Sequence, residues 1–287
     1  MKTAIVTGAT SGLGLVTARA LVRLGMRVVL PARDPARAAR AVDRITAGVP
    51  DASVEAHTLD LADLRTVRRF AETFEAEHGQ LDLLVNNAGI MWGPRTETAD
   101  GFEAQLGINH LGHFALTGLL LPLLHRAPAG RVVTVGSMEH LRGVIDFDDL
   151  QLVRGYHPRR AYQRAKLANV MFGLELDRRL RRAQSPVRSV LAHPGAAATG
   201  LQTRTTARRF RPLAEMWNRV LLQTPEQGAR AQIQAALDSD IAGGSYIGPT
   251  RLMELRGPVG DARIAPAARD LTHCERLWAV SEELVEG

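Results

Sequence analysis

Short apolar runs and amphipathic helical stretches alternate along this chain from its first residues almost to its last, and few architectures accommodate that rhythm. Lys2 to Thr7 predicts a buried strand, Leu13 to Leu24 carries apolar residues at helical spacing, and Arg27 to Leu30 predicts a strand again. The β-α-β pattern repeats, with strands expected at Val54 to Thr58, Leu81 to Asn86 and Arg131 to Gly136, and helices at Leu64 to His78 and Phe102 to Leu124. A long helix from Ala161 to Arg182, a sixth strand from Val187 to Ala192 and a seventh from Gly244 to Ile247 complete it. Strands that alternate with helices and read as continuous apolar runs imply a parallel sheet covered on both faces. The expected fold class is α/β, a doubly wound parallel sheet of about seven strands. No composition shift, linker or repeat divides residues 1–287, which predicts a single domain.

Composition narrows the function classes. With 45% hydrophobic and 23% charged residues there is enough apolar surface for a full core, which excludes a wholly disordered chain. The one cysteine, Cys274, excludes an internal disulfide and a cysteine-based zinc site. With no signal-peptide pattern at Met1 to Val6, a cytoplasmic location is expected. No continuous apolar run approaches the ~20 residues of a spanning helix; the best, Leu116 to Leu124, carries Pro122, and no membrane span is expected. The net charge of +6 gathers in Arg178-Arg179, Arg181-Arg182 and Arg204 to Arg211. No nucleic-acid motif accompanies these arginines, so they read as solvated helix faces, with no nucleic-acid partner.

Strand one runs into Gly8-Ala9-Thr10-Ser11-Gly12-Leu13-Gly14, with a helix directly after. Glycines serve where backbone must turn sharply, approach pyrophosphate and let the helix pack on the sheet, and the helix N-terminus then faces the anion. The spacing G-x-x-x-G-x-G points to dinucleotide binding, although glycine turns after strands also arise for structural reasons. At the end of strand two an acid would bind the ribose 2′-hydroxyl of NAD and a cation would accept the 2′-phosphate of NADP. Ala32 stands where that acid is expected and Arg33 follows it, so NADP is preferred over NAD; Asp34 is the alternative acid if the strand end lies one or two residues further on.

Tyr162 and Lys166 are four residues apart on one predicted helix and project from the same face. A phenol titrates near ~10, and a neighbouring ammonium should lower that value and let the pair act as acid or base. Such pairs also occur on ordinary helices, but this one has company. Ser137 ends a strand at the same sheet edge, where its hydroxyl could hold a substrate oxygen or simply cap a helix. Asn86-Asn87-Ala88-Gly89 ends another strand, and Asn109 interrupts a long helix, where asparagine either bends the helix or serves a polar task.

Together these segments resemble the short-chain dehydrogenase/reductase family and its Rossmann-type sheet. The resemblance rests on Thr7 to Gly14, Asp60-Leu61, Asn86 to Gly89, Asn109, Ser137, Tyr162 with Lys166, and Pro194-Gly195 with Thr199, in the family's order. The subgroup it looks most like is that of retinol dehydrogenases and WW-domain-containing oxidoreductases, from Ile108 to Phe114, Asp146 to Leu150 and Lys166 to Asn169. It implies Tyr162 as proton donor in reduction and base in oxidation, Lys166 tuning it and holding the nicotinamide ribose, Ser137 polarising the carbonyl, and Asn109 supporting a relay water. Gly8, Thr10, Ser11, Gly12, Leu13, Gly14, Arg33, Asp60, Leu61, Asn87, Ala88 and Gly89 would line the cofactor site, with Pro194, Gly195 and Thr199 closing on nicotinamide. Ala165 departs from the serine often found before the lysine, and the stretch between Ser137 and Tyr162 is longer than in the commonest members.

His110 and His113 lack a nearby carboxylate and are expected to be structural, with no metal site. His193 is expected to shape the loop beside Pro194. Residues 200–224 break the rhythm after the sixth strand, where a lid over substrate or an ordinary surface helix would lie. The expected partner is a small carbonyl or alcohol, and pairing into homo-oligomers is common in the family. The competing readings are a non-catalytic dinucleotide-binding protein of the same fold, disfavoured because Tyr162 and Lys166 are both present, and an epimerase or dehydratase, for which too little chain follows Ala192.

Overall fold

In the computed structural model, residues 1–196 and 223–286 are described. The chain builds β1 (Thr3–Val6), α1 (Gly12–Arg23), β2 (Arg27–Ala32), α2 (Pro35–Thr46), β3 (Val54–Thr58), α3 (Leu64–Glu77) and β4 (Leu83–Asn86). There follow α4 (Ala104–Leu106), α5 (Gly112–Arg126), β5 (Arg131–Val135), α6 (Pro158–Arg182) and β6 (Arg188–Ala192). The last elements are α7 (Pro225–Gly228), α8 (Arg230–Leu237), β7 (Tyr246–Arg251), β8 (Arg256–Asp261), α9 (Pro266–Arg269) and α10 (Leu271–Glu286). The strands form one sheet in the order β3-β2-β1-β4-β5-β6-β7-β8. All neighbours are parallel except β7 and β8. The expected doubly wound sheet is therefore present, with an antiparallel eighth strand added at one edge. The order reverses between β1 and β4, and in such sheets a ligand crevice opens beyond the carboxyl ends of the strands at that reversal.

The central strands are apolar on both faces because helices cover both. Val6, Val28, Val85 and Val133 pack with Leu21 and Ile45 on one side, while Ile5, Leu84 and Val132 pack with Phe74, Leu120 and Leu176 on the other. Helix α6, which carries Tyr162 and Lys166, starts at Pro158 with the His157 side chain accepting from the Arg159 amide. It is pinned to α4 by a buried ion pair, Arg164 Nη2 to Glu103 Oε2 at 2.6 Å. Glu103 also accepts from the Gln105 and Leu106 amides. Breaking such a pair by removing one partner strands the other charge in the core, at a cost of about 3–5 kcal/mol.

The long helix expected from Phe102 to Leu124 is present but not regular. Between α4 and α5, residues Gly107–Leu111 form a π-helical turn. The stretch Ala104–Arg126 spans 23 residues and is long and apolar enough, by length and composition, to cross a bilayer. Of its most apolar window 67% is buried inside the fold, so here that apolar surface is taken up by packing against α3 and α6.

Candidate active site

The glycine segment turns as expected. Gly8 and Gly12 have φ of +68° and +55°, the left-handed region that favours glycine. At Gly14 the constraint is space: a Cβ there would lie 2.5 Å from the Gly8 carbonyl oxygen and 2.6 Å from Asn87 Nδ2. Asn87 Nδ2 donates to the Thr7 carbonyl at 2.8 Å, and the Thr7 hydroxyl accepts from the Asn87 and Ala88 amides at 2.9 Å each. Thr7 thus locks the first loop to the Asn86 to Gly89 segment. The N-terminus of α1 then faces a glycine-lined cradle of the kind that accepts pyrophosphate.

That cradle opens one end of a cleft of about 1050 Å³. Gly8, Thr10 to Gly14, Arg33, Asp60, Leu61 and Asn87 to Gly89 line it, and so do Ser137, Tyr162, Lys166, Pro194 and Gly195. At the adenosine end Arg33 is exposed to the cleft, with Arg37 nearby. Asp34, the alternative acid, is engaged elsewhere: its Oδ1 accepts from the Ala36 and Arg37 amides at 2.9 and 3.1 Å and caps α2. Asp60 is held similarly, its Oδ1 accepting from the Ala62 amide at 3.0 Å.

At the other end Ser137 follows β5 and Tyr162 and Lys166 project from α6. The Ser137 hydroxyl hydrogen-bonds the Tyr162 phenol. It also accepts from the Glu139 amide at 3.2 Å, capping the 3-10 turn Met138–Arg142, the capping role foreseen for this serine. Burial pushes the Tyr162 phenol up to about 12, against the opposing pull of its bond with Ser137. This reverses the expected direction. The Lys166 ammonium stands 5.9 Å from the centroid of the Tyr162 ring and donates instead to the Val135 carbonyl at 2.9 Å. Burial lowers Lys166 to about 8. Desolvation therefore outweighs the attraction between the two groups, since each loses water and neither contacts the other's charge.

Asn109 stands behind the cleft wall. It is fully buried in the π turn, and its amide is engaged at both atoms by one residue: Oδ1 accepts from the Ile90 amide at 2.8 Å and Nδ2 donates to the Ile90 carbonyl at 2.9 Å. Its backbone carbonyl accepts from His113 Nδ1 at 3.0 Å, which leaves Nε2 to accept from the Thr7 hydroxyl at 2.9 Å. His110 Nε2 meets the Ser281 hydroxyl at 2.9 Å. Burial lowers His110 to about 3 and His113 to about 4, so both rings are neutral structural struts, as expected. His193 shapes its loop, its Nδ1 accepting from the Gly195 amide at 3.2 Å.

One part of the site was not foreseen. Ile90 to Pro94 and Thr96 form a wall beyond Gly89, and Gln105 braces it by accepting from the Trp92 amide at 3.2 Å. Tyr156 locks the same wall by donating to the Gly93 carbonyl at 2.9 Å. The signal available for them was weak, because Gly93 and Pro94 read as an ordinary turn. Met138 and Glu139, in the long stretch between Ser137 and Tyr162, also line the cleft. Thr199 and nearly all of the lid expected at 200–224 fall outside the described residues.

Comparison with known proteins agrees with this fold. The family model described as short chain dehydrogenase matches residues 2–209. Retinol dehydrogenase 14 of Mus musculus is 39% identical over 297 residues, covering 99% of this chain and 86% of that protein. Polyprenol dehydrogenase of Mus musculus is 43% identical over 289 residues, covering 97% and 82% respectively. A crystal structure of an uncharacterized protein from Mycobacterium paratuberculosis superposes with a TM-score of 0.81 at 41% identity, covering all of this chain and 94% of that one.

Proposed function

The chain belongs to the short-chain dehydrogenase family, in its retinol dehydrogenase-like subgroup, and from that premise we propose an NADP-dependent oxidoreductase acting on a carbonyl or alcohol of an apolar small molecule. The observation that carries this reading is one cleft with Arg33 at one end and Ser137, Tyr162 and Lys166 at the other. The glycine cradle fits a dinucleotide, since a side chain at Gly14 would fill the space between Gly8 and Asn87. Arg33 supports NADP, because a guanidinium suits a 2′-phosphate and Asp34 is occupied in capping α2.

When bound, the dinucleotide supplies or accepts the hydride. The protein's part is proton transfer and orientation. In reduction the Ser137 hydroxyl donates to the substrate oxygen, and the Tyr162 hydroxyl gives that oxygen its proton as the carbon is reduced. A phenol held at about 12 is protonated at neutral pH, the state that reduction needs. Lys166, charged below about 8, offers the tyrosinate left behind a nearby cation. Ile90, Met91, Trp92, Ile108 and Met138 make the cleft wall apolar, which supports an apolar substrate, and the relatives named for retinol and polyprenol support it too.

Purified protein should consume NADPH with apolar aldehydes or ketones. Tyr162→Phe should lower turnover by ~10²–10⁴-fold while NADPH affinity stays within about twofold of wild type. Undiminished turnover in that variant, or no turnover across a carbonyl and alcohol panel with either cofactor, would refute the reading.

A further inference from the structure

Behind the catalytic groups lies a buried polar cluster that the proposed chemistry does not use: His140, His193, Tyr246 and Glu254. Glu254 comes from the turn between β7 and β8, where Leu252, Met253 and Glu254 have φ of 51°, 55° and 68°, three non-glycine residues in succession in the left-handed region. Such a run persists only where its surroundings over-determine it. Leu252 and Met253 are exposed, whereas Glu254 is 8% exposed, so the turn's side chain contacts inside the protein come through the carboxylate.

Each oxygen of that carboxylate faces a different arm of the site. Oε2 lies 3.4 Å from His193 Nε2. Because His193 Nδ1 accepts from the Gly195 amide, the neutral ring carries its proton on Nε2, the ring nitrogen on the side of Glu254. The same turn also holds this loop through backbone, the Ala196 amide donating to the Leu255 carbonyl at 2.9 Å. Oε1 accepts from Arg263 Nε at 2.8 Å and from the Arg263 amide at 3.0 Å. Two residues on, the Ala265 amide donates to His140 Nε2 at 3.2 Å, which puts the His140 proton on Nδ1, donated to the Ser137 carbonyl at 2.6 Å. Tyr246 fills the space between the two imidazoles, its ring centroid 5.3 Å from each.

We infer that Glu254 is a positioning residue that fixes the Pro194 to Ala196 loop, through His193, relative to Ser137, through Arg263 and His140. The inference rests on the dinucleotide reading above, in which that loop meets the nicotinamide half of the cofactor. A carboxylate is the side chain this place requires, since both of its neighbours present donors. An amide would set a donor against a donor on one side or the other.

The test compares binding of NADPH with that of adenosine 2′,5′-bisphosphate, which lacks the nicotinamide half and occupies only the far end of the cleft. Glu254→Gln should weaken NADPH about tenfold, the worth of one hydrogen bond to a charged group, and leave the bisphosphate unchanged. His193→Ala should do the same, and the double variant should be no weaker than either single one, because both act along one path. If Glu254→Gln binds NADPH like wild type, or loses both ligands equally, Glu254 serves stability alone and the inference falls. Additive losses in the double variant overturn the route through His193. A wild-type protein that binds neither ligand overturns the function itself, and this inference with it.

Discussion

The Lys166 ammonium donates to the Val135 carbonyl at 2.9 Å, so the residue expected to activate the catalytic phenol is anchored to the end of the neighbouring strand. This fixes the cation under the cleft floor, close to Tyr162 but not bonded to it. Among the described residues no carboxylate pairs with it, and burial holds the charge at the expense of stability.

Replacing it should show that expense. Lys166 titrates at about 8 in the fold against 10.5 unperturbed, so between those values the unfolded chain binds more protons and stability rises with pH. Relative to Lys166→Met, the wild type should therefore gain about 2 kcal/mol in thermal unfolding from pH ~8 to ~10, while Cys274 and Tyr162, which burial raises to about 11 and about 12, pull both profiles down alike. Lys166→Met should lack that gain, unfold at a higher temperature at neutral pH and lose turnover. A difference between the two proteins that stays constant over that interval contradicts the buried ammonium.

Acid should act through different groups. His110, His113 and His193 sit at about 3, 4 and 4, each below the unperturbed 6.5 because burial disfavours the charged ring. All are neutral above ~6.5 in both states; below it the unfolded chain gains protons that the fold refuses, and stability falls. The loss should reach roughly 2 kcal/mol per ring near pH ~5. Chemical denaturation at stepped pH measures it, and His113→Gln should reduce the slope. A slope unchanged in that variant would mean that His113 is protonated in the fold.

Cofactor choice should follow Arg33. Arg33→Ala should lower the ratio of kcat/KM for NADPH to that for NADH by about tenfold or more, the worth of a charge-assisted hydrogen bond. The loss should appear in NADPH alone. Equal losses for both cofactors would show that Arg33 does not read the 2′-phosphate.

The cradle makes a steric prediction. Gly14→Ala would put a methyl group 2.5 Å from a backbone oxygen that cannot move without breaking the Thr7 and Asn87 contacts. Dinucleotide affinity, measured by quenching of tryptophan fluorescence, should drop at least ~10-fold, and the protein should lose roughly 1–3 kcal/mol of stability. Gly12→Ala meets nothing within 4 Å and should suffer only from its positive φ. Similar affinities for the two variants would disprove the contact.

The doubly wound parallel sheet and the glycine cradle were legible because they rest on local pattern: apolar runs of strand length, helical spacing, and glycines where backbone must turn. Ser137, Tyr162 and Lys166 could be placed together because all lie where strands or a core helix meet one sheet edge. The direction of the Tyr162 shift was not legible, since it depends on how much water the folded cleft excludes, which no spacing encodes. Asn109 was noticed as a residue out of place in a helix, yet its partner, the Ile90 backbone, lies nineteen residues away along the chain. Strand β8, with two glycines and a proline in six residues, shows no alternation, and pairs only because β7 offers it an edge. Leu271, Cys274, Leu277 and Trp278 did carry helical spacing for α10, a signal that the βαβ rhythm alone does not capture.

The π turn at Gly107–Leu111 changes the phase of the helix that contains it. One extra residue per turn advances the side chains by about 100°. Ala104 and Gln105 can therefore look into the cleft while Leu116 and Leu120 look into the core, although one continuous rod carries all four. A regular helix would have to choose between the two directions. Removing a single residue from the turn would rotate Gln105 off the wall it braces, so the cleft keeps its shape through a local miscount in the helical repeat.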